Sequence, residues 1–154
     1  MLREITWPDG IPLHYEAYLK LDDDPVRPHI PKLVRYSKNR NTYFLTDEED
    51  KKIIAIVCLS RNNVHATSEE DLFLYSEIEK ENTFVHLYTI WSYRKGSGRD
   101  LALQTIEAIK DRWPQVKRIL TLSPKTEMAR KFHLSNGAIE LSVNEESVNF
   151  EYEI

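Results

Sequence analysis

The sequence predicts a single α/β domain spanning residues 1–154, with a sheet flanked by helices. Its 154 residues are the length of one ordinary domain with one hydrophobic core. Strand-type and helix-type segments alternate in its second half, in the order strand, glycine loop, helix, strand, helix, strand, strand. The first of these strands, Thr83 to Trp91, is rich in aromatic and β-branched residues and is the clearest element.

The N-terminal region has short elements with weak patterns. We expect a strand at Met1 to Trp7, a turn at Pro8-Asp9-Gly10 and a short helix from Leu13 to Leu21. The run Asp22-Asp23-Asp24-Pro25 ends that helix, and it is typical of a solvated loop rather than of a metal site. A second short helix is predicted at Ile30 to Ser37.

A hairpin is predicted next. Asn41 to Thr46 and Lys52 to Ser60 have strand composition, and the acidic turn Asp47-Glu-Glu-Asp50 separates them. The following residues, Asn62 to Asn82, are polar and acidic. We expect them to form a flexible insert with a helix at Ser68 to Leu74.

After the glycine loop, apolar residues at spacings of four, three and four predict a helix that Pro114 ends. Val116 to Leu122 is then a strand, Lys125 to Ser135 is a helix, and Asn136-Gly137 is its left-handed exit. Two further strands are expected at Ala138 to Val143 and Ser147 to Tyr152. The apolar stripe of the first helix consists of Ala102, Ile106, Ile109 and Trp113.

Composition and charge argue against several classes of function. The formal net charge of −4 does not favour nonspecific nucleic-acid binding, in which Lys and Arg neutralise phosphates. The longest apolar runs, such as Ile53 to Leu59, are far shorter than the roughly 20 residues of a membrane span. Arg3 and Glu4 do not fit a secretory leader. Because Cys58 is the single cysteine, we expect no intrachain disulfide, no cysteine zinc site and a cytoplasmic location.

The loop from Ser92 to Asp100 has the composition of an anion-binding site. It lies between a strand and a helix, so free backbone N–H groups and the positive end of the helix dipole point the same way. Gly96 and Gly98 allow a phosphate to approach the backbone closely, although such glycines also occur in plain turns. The spacing fits neither an NTP-binding P-loop nor a dinucleotide fingerprint, and a diphosphate is the expected ligand. The candidate binding residues are Arg94, Lys95, Gly96, Ser97, Gly98 and Arg99.

Two hydroxyls and one histidine in the next strand and helix are candidate catalytic groups. If the helix runs back antiparallel to the strand, rising about 1.5 Å per residue, His133 comes level with Thr121, and Ser123 stays at the far end. Ser123 precedes Pro124, so it also fits a helix N-cap, which we favour over catalysis. On pattern alone, His133 fits a structural role as well as a catalytic one.

Two motifs in this region resemble the GNAT superfamily of CoA-dependent acyltransferases. One is Tyr93-Arg94-Lys95-Gly96-Ser97-Gly98, and the other is Thr126-x-x-Ala129-x-x-Phe132-His133-x-x-x-Gly137-Ala138. Four segments look most like the malonyl-CoA decarboxylase branch. They are Leu87-Tyr-Thr-Ile90, Lys95-Gly-x-Gly98-x-Asp-Leu101, Thr121-Leu-Ser-Pro124 and Phe132-His-Leu-x-Asn-Gly-Ala138.

The resemblance covers roughly residues 83–143 and implies a mixed, largely antiparallel sheet whose central strands splay around the pantetheine of an acyl-CoA. It implies acyl-CoA as co-substrate, with no permanently bound cofactor and no metal. The implied activity is transfer of an acyl group, usually acetyl, to an amine or other small acceptor. Decarboxylation of a malonyl-type thioester is one alternative, and a CoA-binding or partner-binding module without catalysis is another. Formation of a homodimer is left open.

The resemblance also implies roles for individual residues. His133 would protonate the departing thiolate, or the enolate left by carbon dioxide, and Thr121 would hold the carboxylate or a nearby water. A backbone N–H between Tyr88 and Ile90 would donate to the thioester oxygen. His86 and Tyr88 share one side of their strand and would contact an acceptor if they face the substrate. The catalytic set is therefore His133, Thr121 and Ser123, and the coenzyme-binding set is Tyr88, Thr89, Ile90, Asn136 and the glycine-loop residues.

Overall fold

The computed structural model describes residues 1–5, 21–77 and 82–154, which form one seven-stranded sheet flanked by helices. The strands are β1 (Leu2–Ile5), β2 (Arg40–Thr46), β3 (Ile53–Asn62), β4 (Phe84–Ser92), β5 (Arg118–Thr121), β6 (Ile139–Val143) and β7 (Val148–Tyr152). Their order is β1-β2-β3-β4-β5-β7-β6, and all neighbours are antiparallel except β4 and β5. The α-helices of these residues are α1 (Glu69–Ser76), α2 (Ser97–Arg112) and α3 (Glu127–Ser135). The predicted mixed, largely antiparallel sheet is confirmed.

The elements predicted for the N-terminal region are confirmed where the structure describes them. β1 lies within Met1 to Trp7, and a 3-10 helix, Lys32–Tyr36, lies within Ile30 to Ser37. The turn expected at Pro8-Asp9-Gly10 lies outside the described residues. So does the helix expected from Leu13 to Leu21, except for its last residue, which begins a 3-10 helix.

The polar segment after β3 is folded over residues 62–77, which the structure describes. Its predicted helix is present as α1, and Ser68 caps that helix by accepting a hydrogen bond from the Asp71 N–H at 3.0 Å. The residues before α1 are tied to β7, because Asn149 Nδ2 donates to Ala66 O at 2.9 Å. Such long-range hydrogen bonds satisfy polar groups that the sequence pattern alone assigns to solvent.

Two hydrophobic clusters cover the two faces of the sheet. On the first, the α2 face, Leu101 and Ile109 pack with strand residues such as Val57. On the second, the α1 face, Leu72 of α1 packs with strand residues such as Ile56 and with the N-terminal segment, by which we mean residues 21–37. All five of these side chains are fully buried, and each buried aliphatic side chain stabilises the fold by about 1.5–3 kcal/mol.

β4 and β5 pair over four residues and then separate. Their register ends with Leu87 opposite Thr121, and one further backbone hydrogen bond joins Leu122 N to Leu87 O at 2.9 Å. β4 continues to Ser92, whereas β5 ends at Thr121. A gap therefore opens in the middle of the sheet, and we call it the β4–β5 gap.

A β-bulge in β4 lies next to this gap. In the pairing with β3, Leu87 lies opposite Leu59 and Thr89 lies opposite Cys58, which leaves Tyr88 as the extra residue. Leu87 and Ile90 consequently contact the same hydrophobic cluster, although they are three positions apart. The alternation of side chains between the two faces is thus shifted by one residue after the bulge.

Candidate active site

A cleft of about 660 Å³ lies at the end of β4, between the start of α2 and helix α3. This volume is within the range of about 300–1,000 Å³ that is typical of small-molecule sites. Its walls are mostly apolar. They consist of Pro25, Val26, residues 87–92 of β4, Gly98, Ser123, Pro124, Thr126, Met128, Ala129, Phe132 and His133.

The glycine loop leads into one end of this cleft. Gly96 is the N-cap of α2 and has a φ of 84°, in the left-handed region that glycine adopts without strain. Gly98 lies against α3, because a Cβ added to it would be 3.5 Å from Phe132 Cε2. Gly96 therefore turns the chain, whereas Gly98 lies next to Phe132 of α3 at a distance that would still accommodate a Cβ.

Two backbone amides at the start of α2 are available to an anion. The Ser97 and Asp100 amides donate to Arg94 O and Gly96 O, at 3.1 and 3.3 Å. Within the described ranges, the amides of Gly98 and Arg99 have no acceptor. The first-turn amides of a helix have no partner inside the helix, so these two can bind a negatively charged group.

The polar side chains of the loop have different surroundings. Ser97 Oγ lies 2.6 Å from Arg94 O and 3.0 Å from Ile54 O, so this hydroxyl is engaged within the protein. Arg94 donates to Glu48 at 2.7 Å, in the turn between β2 and β3. Lys95 and Arg99 are exposed beside the helix start. The loop thus has two exposed cations next to its available amides.

His133 is the one buried residue among the nine of α3, all of which the structure describes. Its Nδ1 lies 2.7 Å from the hydroxyl oxygen of Tyr152 on β7. The imidazole stacks on Phe150, with ring centroids 5.2 Å apart, and Phe132 contacts it edge-on. Nε2 makes no hydrogen bond to a described residue, and His133 lines the cleft. Nε2 is therefore the ring nitrogen that a ligand can reach.

The imidazole of His133 is neutral at pH 7, because burial lowers its pKa to about 4. A neutral imidazole carries one N–H, and the partner of one nitrogen decides which nitrogen carries the hydrogen. Burial raises the pKa of Tyr152, so its hydroxyl keeps its proton. When the Tyr152 O–H donates to Nδ1, the ring hydrogen is on Nε2, and His133 presents a hydrogen-bond donor to the cleft.

The two strand hydroxyls are arranged differently from the sequence-based expectation. Thr121 Oγ1 accepts hydrogen bonds from Phe150 N at 3.0 Å and from Ser123 Oγ at 2.8 Å, and Thr121 does not line the cleft. Ser123 does line it, together with His133. We expected α3 to begin at Lys125, but the helix begins two residues later, at Glu127.

The predicted capping role of Ser123 is also wrong. Thr126 is the N-cap of α3, and its hydroxyl accepts a hydrogen bond from Ala129 N at 3.2 Å. Ser123 instead extends the sheet, because it exchanges two backbone hydrogen bonds with Val148, both at 2.9 Å. Pro124 lies before the helix rather than in its first turn.

The three β4 residues with a predicted backbone role line the cleft. Tyr88 is at the bulge. The Thr89 side chain donates to Asp24 Oδ1 at 2.8 Å, on the α1 face. Ile90 packs on the α2 face. Their backbone is thus beside the cleft and next to the β4–β5 gap.

The side chains of His86 and Tyr88 are core groups. His86 is fully buried, its Nε2 accepts a hydrogen bond from Ala66 N at 3.1 Å, and burial lowers its pKa to about 3. The Tyr88 ring is 1% exposed and meets Phe73 of α1 edge-on. This burial argues against contact between either side chain and an acceptor.

Asn136 ends α3, and its N–H lies 3.2 Å from both Phe132 O and His133 O. Gly137 follows with a φ of 97°, which confirms the predicted left-handed exit. Asn136 does not line the cleft, and its side chain lies beside the Tyr152 hydroxyl. It therefore neighbours the His133 and Tyr152 pair rather than the cavity.

A buried ionic cluster on the α1 face was not predicted. Asp24 Oδ2 accepts a hydrogen bond from Arg35 at 2.9 Å, and neither side chain has exposed surface. Asp24 Oδ1 accepts from the amides of Val26 and Arg27, at 2.8 and 3.0 Å. The solvated loop predicted for the acidic run is thus wrong for Asp24. An Asp that binds amides two and three residues later forms an Asx turn, which is the local signal that could have identified it.

Arg27 and Tyr152 are further residues near the cleft that the sequence did not reveal. Arg27 donates from Nη1 to Tyr88 O and from Nη2 to Leu122 O, the latter at 3.0 Å. It thus joins the two strands on either side of the β4–β5 gap. Neither residue lies in a motif, and only the folded chain brings them to the site.

The chain has the GNAT fold. A malonyl-CoA decarboxylase structure from Cupriavidus metallidurans matches it with a TM-score of 0.71 at 16% identity, over 99% of this chain and 60% of that chain. The GNAT domain of S. lividans PAT matches with a TM-score of 0.60 at 15% identity, over 99% of this chain and 89% of that one. The N-acetyltransferase PaiA from Thermoplasma acidophilum, solved in complex with coenzyme A, matches at 0.53 and 12% identity, over 75% and 62%. The predicted resemblance is confirmed at the level of the fold.

The chain spans 34 to 60% of the length of the malonyl-CoA decarboxylase chains that it matches. No protein-family model and no curated protein sequence matches it. None of the described helices combines the length and apolar character that crossing a membrane requires. The same residues contain no cluster of three or more His, Cys, Asp or Glu side chains placed to hold a metal ion.

Proposed function

We propose that the protein is an acyl-CoA-dependent enzyme and that the coenzyme binds in the cleft between α2 and α3. The diphosphate would accept hydrogen bonds from the amides of Gly98 and Arg99, at the positive end of the α2 dipole. The pantetheine arm would follow β4 toward His133. The volume and the apolar walls of the cleft support this proposal, and so does the coenzyme A bound by PaiA, which shares the fold.

The neutral state of His133 favours one reaction over the other. A neutral imidazole is a weak acid. A thioester enolate is a far stronger base than a thiolate, so neutral imidazole can protonate the enolate, whereas a departing thiolate requires a stronger acid. We therefore propose decarboxylation of a malonyl-type thioester as the reaction of this site.

In the proposed reaction, the bond between the carboxylate carbon and the α-carbon breaks, and its electron pair forms the enolate as carbon dioxide leaves. The α-carbon takes the proton from Nε2 of His133, and the Tyr152 hydroxyl proton moves to Nδ1 across their 2.7 Å hydrogen bond. Solvent then restores the proton of Tyr152. A backbone N–H between Tyr88 and Ile90 would donate to the enolate oxygen, and the Ser123 hydroxyl would turn from Thr121 Oγ1 to donate to the carboxylate.

Acyl transfer from CoA to a small acceptor is the second candidate. It is supported by the similarity to acetyltransferases, including PAT, of whose GNAT domain the match covers 89%. In this reaction the acceptor amine attacks the thioester carbon, and the thiolate leaves with a proton. A module that binds CoA without catalysis is a third reading.

Incubation with malonyl-CoA, without any acceptor, tests the reaction. We expect acetyl-CoA and carbon dioxide in equal amounts, followed by mass spectrometry and by trapping of labelled carbon dioxide. His133→Ala should lower turnover by about 100-fold or more and leave the dissociation constant for CoA unchanged. His29→Ala is the matched control, because His29 pairs with Glu69 at 2.7 Å and does not line the cleft.

Each of the other outcomes supports a different function or contradicts the proposal. CoA release from acetyl-CoA that depends on an added amine, without decarboxylation, supports acyl transfer. Binding of CoA without turnover of any acyl-CoA supports the non-catalytic module. A protein that does not bind CoA contradicts the proposal as a whole.

A further inference from the structure

The β4–β5 gap connects the two faces of the sheet, and Arg27 fills it from the α1 face. Its guanidinium donates to Tyr88 O on one strand and to Leu122 O, at 3.0 Å, beside the other. Both carbonyl oxygens lie beyond the last backbone hydrogen bond between the two strands, which joins Leu122 N to Leu87 O. The residue is only 7% exposed.

The segment that carries Arg27 is fixed on several sides. The Arg27 amide donates to Asp24 Oδ1 at 3.0 Å, and its carbonyl accepts from Arg35 Nη2 at 2.8 Å. Asp24 is also bonded to Thr89 of β4 at 2.8 Å, so the segment is anchored to the strand that borders the gap. Withdrawal of Arg27 would remove its hydrogen bonds to Tyr88 O and Leu122 O from a buried environment, which is unfavourable. Arg27 is therefore a fixed part of the described structure.

The same segment forms the floor of the cleft, because Pro25 and Val26 line it. An acyl group held between β4 and α3 would thus end against this floor. An acceptor that attacks the thioester carbon must align with it from the side opposite the coenzyme. With the coenzyme bound as proposed, that side would be the β4–β5 gap, where Arg27 contacts Tyr88 O and Leu122 O.

We propose that Arg27 is a specificity-determining residue that closes the β4–β5 gap and prevents amine acceptors from reaching the thioester through the sheet. The inference rests on the proposed binding of acyl-CoA in the cleft. In this proposal the segment that carries Arg27 excludes acceptors from the α1 face of the sheet.

The variant Arg27→Ala tests whether Arg27 closes the gap. Arg40→Ala is the matched control, because Arg40 is also 7% exposed but contacts Ser37 and Phe73 rather than the gap. The substrate is malonyl-CoA, and the readout is the ratio of acylated amine formed to acetyl-CoA formed without transfer to an acceptor. Hydroxylamine, methylamine and spermidine serve as acceptors of increasing size. We expect Arg27→Ala to raise this ratio by about tenfold or more, most for hydroxylamine, and Arg40→Ala to leave it unchanged. The dissociation constant for CoA should be the same in all three proteins.

An unchanged ratio in a folded Arg27→Ala protein that binds CoA would overturn the inference. So would a wild-type protein that already acylates spermidine efficiently. If none of the three proteins binds CoA, the proposed function is contradicted instead. Crystal structures of wild type and Arg27→Ala would then test, without any ligand, whether Arg27 closes the gap. An open gap that holds water or buffer molecules in Arg27→Ala would support closure by Arg27. Strands β4 and β5 that move together in this variant would contradict it. If Arg27→Ala does not fold, Arg27→Lys, which can reach only one carbonyl, replaces it in both measurements.

Discussion

Removal of the carboxylate of Asp24 should destabilise the protein more than almost any other single polar substitution. Asp24 accepts hydrogen bonds from Arg35, from the amides of Val26 and Arg27 and from Thr89, at distances between 2.8 and 3.0 Å. Asp24→Ala leaves the guanidinium of Arg35 buried without its carboxylate. The expected loss is about 3–5 kcal/mol in the free energy of unfolding, the usual cost when one partner of a buried ion pair is removed.

Urea denaturation followed by circular dichroism measures this loss. In a chain of this length each kcal/mol corresponds to roughly 2–4 °C, so a fall in Tm of about 6–20 °C should accompany it. The control is Glu107→Gln, which removes an exposed ion pair with Lys110 at 3.1 Å and should cost at most about 0.5 kcal/mol. A loss below about 1 kcal/mol for Asp24→Ala would refute the argument that the pair is a buried structural charge.

The pH dependence of stability gives a second check on Asp24. Burial acts to raise its pKa, but hydrogen bonds from Arg27, Arg35, Val26 and Thr89 outweigh burial, and the pKa lies below its usual value. A lowered carboxyl pKa contributes stability above the unfolded value, near pH 4, and this contribution disappears as the pH falls through the folded pKa. The stability difference between wild type and Asp24→Ala should therefore narrow below about pH 4.

Three further predictions concern the cleft. Because the pKa of His133 is lowered to about 4, NMR titration of its ring should show no protonation near pH 6.5. The contribution of the neutral ring to the free energy of unfolding should be full above pH 6.5 and should be lost as the pH falls toward 4. A titration midpoint near 6.5 would contradict the argument from burial. Tyr152→Phe keeps the ring but removes the hydroxyl from Nδ1, so turnover should fall by about tenfold or more while CoA binding stays unchanged, and unchanged turnover would exclude the proton transfer. Gly98→Leu should place a side chain between α2 and Phe132 and weaken CoA binding, which calorimetry measures. The control Gly98→Ala, whose Cβ would lie 3.5 Å from Phe132, should bind CoA normally. Equal affinity of both variants for CoA would contradict coenzyme binding at this end of the cleft.

Local patterns predicted the second half of the fold well. The composition of Thr83 to Trp91 identified β4, and the spacing of apolar residues identified α2. The glycine loop was recognised because two glycines with basic neighbours follow a strand and precede a helix, and Gly96 has the left-handed conformation that favours glycine. Elements whose determinants lie within about ten residues are those that a sequence pattern specifies.

The candidate site was predicted less completely, because its chemistry depends on contacts between distant segments. His133 of α3 was identified from its motif, but its partner Tyr152 lies 19 residues away, on strand β7. Arg27 contacts Tyr88, which is 61 residues away, and no pattern links them. The burial of Asp24 likewise depends on Arg35 and β4 rather than on the acidic residues beside it.

The extra residue at Tyr88 has a consequence for changes in chain length. Ile90 packs on the α2 face, and Trp91 packs on the α1 face, because one residue of β4 has no counterpart in β3. Deletion of any single residue between Leu87 and Ile90 would exchange the faces of the following side chains, turning the indole toward α2 and the isoleucine toward α1. Substitution at Tyr88 changes one side chain, whereas a deletion reverses the whole end of the strand. This part of the protein is therefore constrained in its number of residues even where their types can vary.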